Sequence, residues 1–488
     1  MKTFLQPLQN LAEMEEIQKQ AKKNRGILEI SGCMESQKAH LMYGLSGLFP
    51  CHLILADDER NAKEIYEDYR FYDKNVYFYP AKDLLFFQAD IHGNLLIRQR
   101  MRVIRALLEQ EEVTVVTSID GCMDFLMPLE KIKSSLLHFK SDSVIDLDQL
   151  KADLVDLGYE RVGQVELPGQ FSVRGGIIDI YPLTEENPWR IELWDDEIDS
   201  IRSFDAESQR SLENIDEITI YPATEKMDCE DMVSFLDYFP EEKTLLFLDE
   251  LNHLAENGEG VEEEYRQSRM HREEKGEANL PEQWLCGFQE VQKKLNRRNC
   301  VAVSALSPRR SGWKINEEFD LTVKSVDSYN SSFEILVKDL LQYKSQGYRI
   351  ALLSGSRTRA ERLAKDLSEE GLNAFYSQDI DRIISPGEIM VVYGHARRGF
   401  QYPLIKFAVM TETDIFGKEQ KKRKKKKKYS GNRIQDFAEL SIGDLVVHEK
   451  HGLGIYRGIE KVEVDRVVKD YIKIEYRGGS NLYILATQ

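Results

Sequence analysis

In the run GQFSVRGGIIDIYPLTEENPWRIELWDDEIDSIRSFD, residues 169–205, arginines and aromatics interrupt segments that otherwise read as apolar β-strands. Residues 171–180 are β-rich with Gly175 and Gly176 inside, Pro182 and Asn187-Pro188 mark a turn, and 190–194 alternates polar and apolar residues, a hairpin-like pair. The period of two puts Arg190, Glu192 and Trp194 on one face and Ile191 and Leu193 on the other. A guanidinium beside an exposed aromatic binds partners and does not make bonds. A solvated face of paired charges has the same spacing, so both readings stay open.

Phosphate chemistry is the second possibility. An apolar strand at 27–30, a turn at Ser31-Gly32 and a helix over 38–49 follow the strand-loop-helix order of a phosphate-binding loop. Against Gly-x-x-x-x-Gly-Lys-Ser/Thr the chain offers Gly32, Gln37, Lys38 and Ala39. Gln37 has a Cβ where backbone must approach phosphate, and Ala39 has no hydroxyl for magnesium. The strand TLLFLDE at 244–250 ends in Asp249 and Glu250, where a nucleotide-binding fold would hold magnesium. A decayed site is expected, with those two carboxylates as relics and no nucleotide bound.

A third group is the aromatic cluster at 77–79 and 84–87, followed by Arg98, Arg100, Arg102 and Arg105. Interleaved aromatics and arginines can stack bases and hold phosphates. A helix over 95–110 could equally use those arginines as a solvated face, and a net charge of -18 argues against a chain built mainly to grip nucleic acid.

Other chemistries find little support. Cys33, Cys51, Cys122, Cys229, Cys286 and Cys300 are scattered singly, which suits reduced structural thiols. His448 and His451 lack thiol or carboxylate neighbours at a zinc spacing, so no metal is expected. No Gly-x-Ser-x-Gly element occurs. Neither a signal-peptide core nor a bilayer-length apolar run is present, so a cytoplasmic protein without a membrane partner is expected.

The elements that must carry these residues form several domains, as 488 residues with 42% hydrophobic content allow. Strands at 27–30, 113–117 and 244–250 belong to one α/β unit split by an insertion, and the acidic stretch 256–282 reads as surface loop or helix. Strands at 349–354 and 388–393 alternate with helices at 333–343 and 357–370, a small parallel α/β domain. KKRKKKKK at 421–428 reads as a solvated linker, with contact to DNA or an acidic surface the other possibility. Four strands at 445–448, 454–463, 469–476 and 481–485 suggest a small barrel.

GQFSVRGGIIDIYP with RIELWDDEIDSIRSFD, and GYERVGQVELP before them, resemble the domain that transcription-repair coupling factors share with the excision-repair protein UvrB. HGLGIYRGIE with DYIKIEYRGGSNLYI resembles the family's CarD-type RNA-polymerase-interacting module. The resemblance implies a multidomain α/β chain. It has a degenerate RecA-like, UvrB-like domain at 1–127 and 214–328, an inserted α+β UvrA-binding domain at 128–213 and a small α/β domain at 329–418. A Lys-rich linker at 419–436 and an SH3/Tudor-like barrel at 437–488 follow. It implies UvrA docking through Arg174, Arg190 and Trp194, with Arg161 and Glu192 as further polar contacts; the family usually has Phe where Trp194 stands. It implies contact with the RNA polymerase β subunit through Ile459, Val462 and Val464.

On the same resemblance the chain is an N-terminal fragment, not itself an enzyme and without a cofactor. ATP, magnesium and most DNA contact would belong to motor domains of an ATP-dependent DNA translocase parent. A UvrB-like helicase, a CarD-like transcription regulator with accessory domains and a purely structural adaptor are the alternatives.

Overall fold

A computed structural model of the protein describes residues 1–23, 25–82, 94–141, 143–225, 231–275, 285–307, 312–417, 441–448, 452–464, 467–475 and 481–485. The Lys-rich tract at 421–428, Cys229, His451 and residues 84–87 lie outside them.

Seven parallel strands make the largest sheet, in the spatial order Ile315–Asp320, Gly26–Ser31, Asn299–Val303, Thr244–Asp249, Cys51–Ala56, Val113–Ser118, Val76–Tyr79. Strands from before residue 120 and after residue 243 interleave in it, so the segment between them loops out of a single core. The central strands are buried along their whole length, as a parallel sheet covered on both faces requires. Ile27, Leu53, Val115, Leu246 and Cys300 pack on one side, together with the looped-out domain. Leu28, Ile54, Val116, Leu245 and Val301 pack on the other. That second face continues into Ala351, Met390, Phe407 and Val409 of the small α/β sheet, so the two sheets share one core.

The small sheet runs Lys324–Ser325, Phe400–Tyr402, Phe407–Thr411, Arg349–Ser354, Glu388–Tyr393, Asn373–Tyr376, with the last four strands parallel. The stretch read as loop or helix at 256–282 is helical as far as it is described, within Leu251–Lys275. Gly258 in that helix leaves room for Phe288, whose ring a Cβ there would meet at 2.2 Å.

The looped-out sheet corrects the hairpin-like pair. Residues 171–180 are two antiparallel strands, Gln170–Arg174 and Ile177–Ile180, and Gly175-Gly176 is the turn between them, not strand interior. Gly175 has φ +61, a conformation that glycine adopts without strain. Trp189–Trp194 and Glu197–Phe204 complete the antiparallel centre of a six-stranded sheet.

The C-terminal residues form an antiparallel meander, Leu445–His448, Gly452–Val464, Val467–Glu475, Asn481–Leu485. Among the described residues its first and last strands do not pair, so the strand expectations hold and barrel closure is not part of the described pairing.

Candidate partner-docking face

Register places the candidate residues of the looped-out sheet in two cross-strand rows. Ser172, Asp179, Arg190 and Arg202 form one, and Arg174, Ile177, Glu192 and Ser200 the next. Ion pairs run both within and between the rows. Arg190 donates from Nε to Asp179 Oδ1 at 2.7 Å and from Nη2 to Asp179 Oδ2 at 2.9 Å, and Arg174 Nη2 donates to Asp179 Oδ2 at 2.8 Å. Arg202 pairs with Glu192. The Asp179 side chain is 1% exposed, Arg190 is 15% and Arg174 is 48%, so the carboxylate lies beneath two guanidiniums at different depths. A carboxylate so buried persists because charged donors replace its water.

Arg190 also stacks on the Phe204 ring with its Cζ 4.4 Å from the centroid. The Asp179 hydrogen bond, against some burial, holds its guanidinium above the ordinary arginine range. Trp194 ends its strand opposite Glu197, beside Asp195 at φ +58, and at this hairpin tip it is 80% exposed. Ile177 is 36% exposed. A half-exposed guanidinium, that of Arg174, on one sheet face with uncovered apolar side chains suits reversible recognition of another protein. Arg161 is exposed but stands outside these rows, on the edge strand Glu160–Arg161 opposite Phe171.

Asp179 was not anticipated as part of this group. A lone acid inside the apolar run IIDIY, with arginines five residues before and eleven after it, was its only sequence signal. Phe204 and Gln209, which accepts from Arg190 Nη2 at 3.1 Å, had none.

The loop expected to be a decayed phosphate site is filled by protein groups. Lys38 Nζ lies 2.7 Å from Asp249 Oδ1 and 2.6 Å from Glu250 Oε1. Asn61 donates to Asp249 Oδ2 at 2.7 Å, and the Ala305 amide donates to Glu250 Oε1 at 2.8 Å. Burial pulls the Lys38 pKa down, yet Asp249 and Glu250 outweigh it and raise it, so the ammonium stays charged. Gln37 Nε2 donates to the Tyr402 hydroxyl at 2.9 Å, and its Oε1 accepts from the Met34 amide at 3.1 Å.

His40 Nε2 lies 2.9 Å from the Phe4 carbonyl and must donate to it, leaving Nδ1 to accept from the Tyr402 hydroxyl at 3.0 Å. Burial drops the His40 pKa to about 4, in keeping with that neutral tautomer. Ala39 is buried. Gly32, at φ +76, is required by backbone: a Cβ there would sit 2.0 Å from the Leu321 carbonyl oxygen. Asp249 and Glu250 thus hold the Lys38 ammonium within the chain's own fold.

Arg100 departs from the reading of the helix arginines as a stacking or solvated face, whereas Arg102 is exposed. Arg100 is fully buried in helix Asn94–Glu109, pairs with Asp124 at 2.7 Å and with Glu225, and lies over the Tyr79 ring, which stacks on Phe235 at 3.7 Å. Arg105 is 37% exposed and pairs with Glu109 and Glu185. In the C-terminal meander Ile459 is 50% exposed opposite Ile472, while Val462 and Val464 stand opposite Lys469 and Val467 near the end of their strand.

The family model described as the UvrB interaction domain matches residues 137–225, and the docking face lies within that match. The CarD-like/TRCF RID domain model matches residues 440–488. Together they define a class, chains with a UvrB interaction domain ahead of a CarD-like domain. The chain is 29% identical over 533 residues to the transcription-repair-coupling factor of Bacillus subtilis, covering 94% of this chain and 45% of that protein. Against the proteins of that name from Staphylococcus aureus MRSA252 and Staphylococcus epidermidis RP62A it is 27% identical, covering 85% of this chain and 40% of each. These matches place the chain among the relatives of the transcription-repair coupling factors. It spans less than half the length of those curated relatives. No described helix is long and apolar enough to cross a membrane.

Proposed function

We propose that this chain is a recruiting part of a transcription-repair coupling factor, docking UvrA on the face around Arg174, Arg190 and Trp194 and the RNA polymerase β subunit on the C-terminal meander. The observation that carries the reading is the 80% exposure of Trp194 on the strand that also carries Arg190, one of two guanidiniums fixed on one buried carboxylate. An exposed aromatic of that size at a hairpin tip suits an anchor for a partner's pocket. Ile459, Val462 and Val464 are the polymerase-side candidates, and an exposed strand edge there can pair with a partner's strand. The site around Lys38 binds no ATP, and any translocation on DNA would come from motor domains outside this sequence.

Isothermal titration of the purified chain with UvrA tests the docking role. Arg190→Ala is expected to weaken binding by about 2 kcal/mol or more. Equal binding by wild type and variant would remove this face from the function. Titration with a polymerase β fragment tests the second role in the same way.

A further inference from the structure

On its other side the looped-out sheet leaves a cleft of about 640 Å3 against helix Asn94–Glu109. Trp189 pairs with Ser203 one step from the Arg190–Arg202 pair, so both side chains fall on the sheet face opposite those arginines. Buried Trp189 and Ile218 supply apolar lining. Ser203 lines the same cleft at 4% exposure, and its hydroxyl has no hydrogen-bond partner among the described residues. A buried hydroxyl without a partner is destabilising unless something outside the fold supplies one.

Five carboxylates line the cleft against a single guanidinium, that of Arg105. Arg105 takes two of them, Glu109 and Glu185, and the Tyr221 hydroxyl donates to Glu109 at 2.8 Å. Glu186, Glu213 and Glu217 are exposed and form no ion pair among the described residues, although Lys140 stands opposite Glu217 in register. What the cleft lacks is positive charge for these three acids and a partner for Ser203. In a chain of net charge -18 the densest run of cations is KKRKKKKK at 421–428, outside the described residues and unused by either docking role.

We propose that this cleft is a site for a lysine-rich segment and that the run at 421–428 of the same chain is its occupant. A lysine suits both parts of the lining, because its methylene stem lies along apolar surface while its ammonium donates to carboxylates or a hydroxyl. Each exposed ion pair is weak alone, and several in one cleft add. Site and segment belong to one chain, so the contact is intramolecular and gains from effective concentration. An occupied cleft ties the run that precedes the C-terminal meander to the looped-out domain.

Zero-length carbodiimide cross-linking of the dilute chain, read by peptide mapping, is the direct test, since it joins a lysine amine only to a carboxylate in contact. Intramolecular links from the 421–428 run to Glu186, Glu213 or Glu217 are expected. Calorimetric titration with the peptide KKRKKKKK then uses the chain whose own run is replaced by Gly and Ser. The peptide is expected to bind that chain and to bind wild type about ten-fold or more weakly, because the cleft there is already filled. In the replaced chain Glu186→Gln/Glu213→Gln/Glu217→Gln should weaken binding about ten-fold, and Ser203→Ala about three-fold or more. Glu256→Gln/Glu259→Gln/Glu264→Gln removes the same charge from exposed positions of helix Leu251–Lys275 and should leave binding unchanged.

Equal losses in the two triple variants would reduce the binding to general charge attraction and overturn the site, as would absence of peptide binding. Peptide binding without intramolecular cross-links to the cleft would overturn the run as occupant. Spermidine binding as tightly as the peptide would assign the cleft to small polyamines instead. None of these readouts involves UvrA or polymerase, so the docking roles stand or fall separately.

Discussion

The filled loop around Lys38 and the face around Asp179 use the same materials, basic side chains against carboxylates, and leave them in opposite states. At the loop, Lys38 is held by two acids, each acid has a further donor, and Gln37 and His40 are closed off by Tyr402 from the small α/β sheet. At the docking face one acid serves two arginines, so hydrogen-bond donors are left over and half-exposed. A cluster whose charged groups all find partners in the chain suits a role in the fold, whereas one with surplus donors on the same sheet face as an uncovered aromatic suits the proposed contact outside it.

The contrast would break most visibly at Lys38. If the lysine is structural, Lys38→Ala leaves Asp249 buried without its cation and should cost about 3–5 kcal/mol in denaturant unfolding. An unchanged midpoint, or ATP binding in wild type that the variant loses, would return the loop to phosphate chemistry.

Glu29 sharpens the same side. It is 1% exposed near Ser304, neither carboxyl oxygen makes a geometric hydrogen bond among the described residues, and burial pushes its pKa from 4.5 to about 7. The folded protein therefore holds a proton that the unfolded chain has released between those values. Its contribution is full below pH 4.5 and is lost as pH rises through about 7. Glu29→Gln should abolish that fall and stabilise the protein above pH 7 by up to about 3 kcal/mol. Unfolding curves recorded from pH 4.5 to 8 decide this, and an unchanged pH profile would show that the carboxyl is already solvated or paired.

Rebuilding the loop is the direct challenge to its decayed reading. Gln37→Gly with Ala39→Ser restores the residue types of a phosphate loop, yet removes the bonds to Tyr402 and Met34. It should lose about 1–2 kcal/mol of stability and still bind no ATP by calorimetry. Saturable ATP binding would mean that two substitutions alone closed the site, and that the contact with Tyr402 is secondary.

Much of this was legible because one-dimensional periodicity records burial. The strands at 27–30, 244–250 and 349–354 were plain apolar runs, and the missing phosphate-loop residues could be read by position alone. What escaped needed a second strand to define it. Asp179 lies in an apolar run and becomes a site residue only when register sets it between Arg174 and Arg190. Gly175-Gly176 read as strand interior because both flanking strands are apolar enough to be one.

Arg100 could have been found. It stands three residues after Ile97 and four before Ile104, both buried, so the helical period already put it on the apolar face, away from Arg98, Arg102 and Arg105. Tyr402 lies 365 residues from Gln37, and no local pattern could join them.

Trp194→Ala is the smallest expected change to the fold and the cleanest probe of the open side of the comparison. At 80% exposure the indole contributes little packing, so unfolding should move by less than about 0.5 kcal/mol. Binding of UvrA should nonetheless fall about ten-fold or more, since an exposed aromatic gains its energy only when a partner's pocket desolvates it. Trp194→Phe should restore most of that affinity, because a smaller ring still fills an aromatic site. If Trp194→Ala destabilised the fold as much as Lys38→Ala, the indole would be packing against its own chain and the face would be as closed as the loop. A stable variant with full affinity would leave Arg174 as the remaining contact and move the anchor elsewhere on the sheet.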